Sequence, residues 1–232
     1  MPDETDETNA ARRKLFETKK FRNEVAERLG LAKAMVSNAI AALLQAGSIP
    51  CTNPDIAGAL AVDGARILMA IGSQVRPDAI ARVTKRFAAM TSQIDVDEPK
   101  AVAAAGIPPR ESVSFEAELA AMFQNSWKAA RSALPSSINA MGVSLLWHDP
   151  RGSILFGTID RWDREKPRHK KIYASDPLQL PSPPGGGEWD FVLLLDSFRL
   201  PTVGGTIFSP LPLLGFCELL AEGVEETVAS VF

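Results

Sequence analysis

Arg22-Asn-Glu-Val-Ala-Glu-Arg-Leu-Gly-Leu-Ala-Lys-Ala-Met-Val-Ser-Asn-Ala-Ile-Ala41 is the most informative stretch of this chain. Val25, Leu29, Leu31, Val36 and Ile40 recur at helical intervals on either side of Gly30. That spacing predicts two short helices, over 22–29 and 32–46, sharing one buried face. Leu43-Leu-Gln-Ala-Gly-Ser-Ile-Pro50 ends the second helix with a glycine at its C-cap. Working outward, an earlier helix is expected over 8–18 and later ones over 54–73 and 77–90. Asn53-Pro54 and Arg76-Pro77-Asp78 place proline in the first turn of the last two, where its missing N–H is harmless.

The 232 residues are 46% hydrophobic and 23% charged, near the globular average, which excludes disorder and collagen-like repeats. The two halves differ in kind. Thirteen of the 17 prolines and all four tryptophans lie beyond residue 98, while the earlier part is alanine-rich. The expected fold class is therefore α+β: an all-helical domain over 1–94, a linker over 95–113, and an α+β domain over 114–232 with a small antiparallel sheet. In that second domain, Phe115, Leu119, Met122, Phe123, Trp127 and Ala130 predict an amphipathic helix over 114–133. Gly142 to Trp147 and Ser153 to Ile159 flank His148-Asp-Pro-Arg-Gly152 as a hairpin would. Lys171 to Ala174 and Trp189 to Leu195 add two strands, and a last helix is expected over 212–228. Pro181-Ser-Pro-Pro-Gly-Gly-Gly187 reads as a loop and Gly204-Gly205 as a turn.

Residues 22–41 resemble the twenty-residue helix-turn-helix pattern of bacterial and phage DNA-binding proteins. Such a unit needs a small side chain where its helices approach, supplied by Ala26, and positive φ in its turn, supplied by Gly30. Ala39 departs from the pattern, being small where a larger aliphatic is usual; Ile40 and Leu43 are placed to compensate. The arrangement through residue 90, a helix-turn-helix ending in Gly-Ser-Ile-Pro and then an Ala/Leu-rich helical pair, resembles phage and prophage proteins. The resemblance implies that the second helix enters the major groove. Lys33, Ser37 and Asn38 are then its polar base-reading set, with Ala32, Ala34 and Ala41 able to touch thymine methyls.

Local charge agrees. Residues 12–33 carry eight cations against three anions, a local +5 in a chain of net charge −3. Arg12, Arg13, Lys19, Lys20, Arg22 and Arg28 are the expected phosphate contacts. A second basic cluster, Arg161, Arg164, Lys166, Arg168, Lys170 and Lys171, lies among Trp162, His169 and Tyr173, a composition that suits either nucleic acid or a solvated inter-strand loop.

Enzyme chemistry finds little support. His148 and His169 have no cysteine or second histidine at metal-ligand spacing, and no glycine-rich phosphate loop or dinucleotide fingerprint is present, so neither metal nor cofactor is expected. Glu218, Glu222, Glu225 and Glu226 read as a solvated acidic face. Cys51 and Cys217 suit buried thiols in a reducing compartment. An acidic Met1-Pro-Asp-Glu start and the lack of a long apolar run point to a cytoplasmic protein with no membrane span. The expectation is a sequence-specific binder of double-stranded DNA, a transcription regulator of phage or prophage type. It would act as a homo-oligomer whose C-terminal domain pairs copies or meets a protein partner, with the apolar run 208–220 as the candidate interface. A phage DNA-packaging or virion-assembly component and a protein-interaction adaptor are the alternatives.

Overall fold

The computed structural model describes residues 4–53, 55–95, 113–131, 140–148, 154–162, 169–175 and 203–231. Seven α-helices are found among them: α1 (Glu4–Glu17), α2 (Lys19–Leu29), α3 (Lys33–Gln45), α4 (Ile56–Gly72), α5 (Ile80–Ala88), α6 (Phe115–Arg131) and α7 (Pro210–Val231). Helix outweighs strand. Five strands, β1 (Thr91–Asp95), β2 (Ala140–His148), β3 (Ile154–Trp162), β4 (His169–Ala174) and β5 (Val203–Phe208), pair antiparallel in the order β1-β4-β3-β2-β5.

The boundaries of the central helices follow from identifiable caps. Thr18 opens α2 by accepting a hydrogen bond from the Phe21 amide at 3.2 Å. Gly30 closes it at φ 67°, with its own N–H donating to Glu27 and the Leu31 N–H reaching back to the Ala26 carbonyl at 2.8 Å. That is a Schellman motif, which satisfies carbonyls a helix end otherwise leaves orphaned. The same arrangement ends α3: Gly47 sits at φ 63°, donates to Leu44, and Ser48 donates to Leu43. Asp55 caps α4 through both carboxylate oxygens, on the amides of Ala57 and Gly58.

Helix α4 organises the core. Thirteen of its seventeen residues are buried, and a helix apolar all round must be covered on every side. Its cover comes from α3 and α5 on one hand and from α6 and α7 on the other. Residues expected to form two separate units over 1–94 and 114–232 thus share one core, in which Phe16, Ile40, Leu60, Phe87, Phe123 and Phe216 are all fully buried. Close approach is built in: a Cβ on Gly64 would collide with Leu220 of α7, and one on Gly157 of β3 would meet the Phe115 ring at 2.7 Å. Phe115 packs on Tyr173 of β4 with ring centroids 4.9 Å apart, which fixes α6 against the sheet.

Several expectations need correction. The helix placed over 77–90 begins as a 3-10 turn at Pro77–Ala79, and residues 91–95, assigned to the end of the helical domain and the linker, form β1 paired with β4. Gly204 and Gly205 are not a turn; they lie in β5 opposite Trp147 and Leu146, because the ladder uses backbone groups that glycine retains. In the run 208–220, Phe208, Leu213, Phe216, Cys217, Leu219 and Leu220 are buried, leaving Leu211 as the large exposed apolar residue there, so burial in the monomer accounts for most of the candidate interface. The strand expected over 189–195, most of the linker and the 181–187 loop lie outside the described residues.

Candidate nucleic-acid interface

The corner formed by α2 and α3 reaches the surface on one side only. Val25, Ala26 and Leu29 of α2 and Val36, Ala39, Ile40 and Leu43 of α3 are buried, joined by Phe21. Ala39, small where a larger side chain is usual, is buried, and Ile40 and Leu43 are fully buried beside it in the sequence of α3. On the opposite side of α3, Lys33, Ala34, Asn38 and Ala41 are exposed and Ser37 is half-buried. The base-reading set named from sequence therefore lies along one accessible stripe near the start of α3.

The expected phosphate contacts divide sharply. Arg12 is removed from that set, since it has no exposed surface at all. Its guanidinium pairs with Asp63 of α4 and donates to the Asn9 side chain and the Cys51 carbonyl. A cation on the first helix looked solvent-facing in sequence because its counterion lies 51 residues later. Arg22 turns back, its Nε donating to the Phe16 carbonyl at 2.8 Å. Arg13 pairs with Glu17 one turn on, at 3.1 Å. Lys20 meets Glu226 at 3.4 Å, and Arg28 meets Glu218 at 3.1 Å and Glu222 at 3.6 Å. Lys19 and Lys33 are exposed and make no ion pair with the described residues.

Three of the four glutamates read as a solvated face are therefore partners of α2. The signal was present in the sequence: Glu218, Glu222, Glu225 and Glu226 follow the i, i+4, i+7, i+8 spacing of one helix stripe, and α7 carries no other charge. What the spacing could not reveal is which helix the stripe would meet. Beside this seam, α1, α2 and α7 enclose an open groove of about 580 Å³ lined in part by Lys14, Lys20, Glu24, Glu222 and Glu226.

Beneath the corner lies a buried polar cluster. Asp63 accepts from Arg12 and from the Cys51 amide at 2.8 Å, and the Cys51 thiol donates to the Ala59 carbonyl at 3.4 Å. Burial pushes the Asp63 carboxyl up to about 6 against the opposing pull of Arg12. Burial, helped by Asp63, pushes the Cys51 thiol up to about 11. Arg66 completes the support: it grips Glu116 of α6 through Nε and Nη2 and donates from Nη1 to the Ser48 carbonyl at the end of α3. This arrangement holds the corner on the body of the protein.

Of the second basic cluster, Arg161 lies opposite His169, Asp160 opposite Lys170, and Ile159 opposite Lys171 in the β3–β4 ladder. Arg164, Lys166 and Arg168 fall outside the described residues. Among the described residues no group of three His, Cys, Asp or Glu side chains is placed to hold a metal ion, and no helix is long and apolar enough to cross a membrane. Comparison with protein-family models, with curated proteins and with solved structures finds no match to this chain.

Proposed function

We propose that this protein binds double-stranded DNA through the α2–α3 corner, with α3 in the major groove and Lys33, Ser37 and Asn38 reading base edges. The observation that carries the reading is the division of α3: one stripe locked in the core, the other accessible and bearing that polar set. Lys19, exposed at the start of α2, serves as a phosphate contact. On this reading the chain is a sequence-specific regulator of phage or prophage type. It works in the cytoplasm as a symmetric oligomer whose two corners meet half-sites about one helical turn apart.

The test is selection of bound fragments from random duplex DNA, followed by a salt titration of the selected duplex. Retention at low salt that falls steeply as salt rises supports the reading, and a shared motif among selected fragments supports sequence specificity. Retention that is absent at low salt, or indifferent to salt, overturns it.

A further inference from the structure

We propose that α7 is a built-in competitor of the duplex, its glutamates occupying α2 cations that a DNA backbone would otherwise engage. The inference rests on the DNA-binding reading above and concerns the regulation of that same site. It starts from a register. Helix α7 lies against α2, with Glu226 at Lys20 near the start of α2 and Glu218 and Glu222 at Arg28 near its end. The spacing of the glutamates matches the spacing of the cations, so each cation finds a carboxylate without either helix deforming.

Charge then favours competition over a simple clasp. The seam sets two cations against three carboxylates, so its closed form carries a net negative charge and repels a polyanion. It is also easily opened. Every side chain in it is 39% exposed or more, and ion pairs in such a position contribute little to stability. A duplex approaching α3 offers phosphates in exchange, and counterion release from the duplex rewards each new contact. The carboxylates thus lower affinity for any duplex and leave discrimination to α3. Proteins that must search non-specific DNA benefit from that separation.

Wild type, three variants and one control test this by fluorescence anisotropy on a short random-sequence duplex at several salt concentrations, with each variant first shown to melt cooperatively. Glu218→Gln/Glu222→Gln, which releases Arg28, is expected to raise affinity about three- to tenfold at low salt and to steepen the salt dependence. Asp6→Asn/Asp78→Asn removes the same charge from residues that pair with nothing on α2, and is expected to raise affinity by much less. Arg28→Gln is expected to cost more in the released background than in the wild type, because only there is the guanidinium free to meet a phosphate. An equal gain from the control pair, or an equal Arg28→Gln effect in both backgrounds, reduces the glutamates to bulk charge and overturns the proposal while leaving DNA binding intact. If neither the wild type nor the released variant shows salt-sensitive binding, the DNA-binding reading itself fails and the proposal falls with it.

Discussion

The guanidinium of Arg12 and the carboxylate of Asp63 form an ion pair with no exposed surface on either side chain, tying the first helix to the central one. Arg12 also satisfies the Cys51 carbonyl and Asn9, so one side chain joins three parts of the chain. Breaking a buried pair by removing one partner leaves an uncompensated polar site, a loss of about 3–5 kcal/mol. Arg12→Ala is expected to lose that much in urea-unfolding experiments, whereas Lys19→Ala, at an exposed position, should stay within about 0.5 kcal/mol of wild type. Similar losses for the two variants would contradict the assignment of Arg12 to structure.

The same pair gives stability a pH dependence of definite sign. The folded protein holds the Asp63 proton to about pH 6, well above the ordinary 3.8 of a carboxyl, because burial disfavours its charge. The folded state therefore binds the proton more tightly than the unfolded chain. The stability from Asp63 is complete below about pH 4 and is lost as pH rises through about 6. Asp63→Asn cannot ionise, so the stability of the variant minus that of the wild type should climb between these pH values. Urea unfolding across that window measures it, and a difference that is flat or falling counts against the buried carboxyl.

Thiol chemistry tests burial at Cys51 of that cluster and, separately, at Cys217 of α7. Burial pushes Cys51 up to about 11 and Cys217 up to about 12, and the thiolate is the reactive form. At pH 8 the thiolate fractions are then about one in a thousand and one in ten thousand. In an aromatic disulfide titration, both cysteines should react at least about a hundredfold more slowly in the folded protein than in urea, with Cys51 the faster. Rapid labelling of either in the folded state would show that its surroundings open readily.

Gly30 isolates the turn. Apart from the adjoining backbone, no atom lies within 4 Å of where its Cβ would stand, so Gly30→Ala meets no tertiary obstacle and its cost is conformational. At φ 67° that cost is about 1 kcal/mol, and Gly30→Asn should lose less because asparagine tolerates the left-handed region. Thermal or urea unfolding of the two variants gives the comparison; equal losses would point to a cause other than backbone geometry.

The corner was legible in sequence because its information is local: apolar spacing around Gly30 and the glycine at 47 are read within one or two turns of helix. Helices α4, α6 and α7 were legible for the same reason, through periodicity over several turns. Partnership across the chain was not. Arg12 counted toward a basic face because charge totals over a window cannot register Asp63, and the α7 glutamates looked solvated because their cations lie about 190 to 206 residues earlier. Composition also separated the two halves of the sequence, yet α4 is too apolar to be covered by the first half alone and takes α6 and α7 as neighbours. The short strands β1 and β5 are not legible locally because Thr91-Ser-Gln-Ile-Asp95 and Gly204-Gly205 carry weak strand propensity and depend on their ladder partners.

If α3 reads base edges and Lys19 meets a phosphate, as proposed, the two residues should respond differently to the choice of duplex. Asn38 is exposed on α3, and an asparagine can bond adenine through both ends of its amide, an arrangement worth about 1–3 kcal/mol of discrimination. Lys19 can contribute charge to a phosphate but carries no information about the base pair beside it. Asn38→Ala should therefore weaken binding to a selected duplex far more than to a random one, while Lys19→Ala should weaken both alike and flatten the salt dependence by roughly one counterion. Affinity measured on both duplexes at matched salt separates the two effects. If Asn38→Ala lowers affinity for the random duplex as much as for the selected one, α3 is not the element that distinguishes sequences, and the accessible stripe on it requires a different occupant.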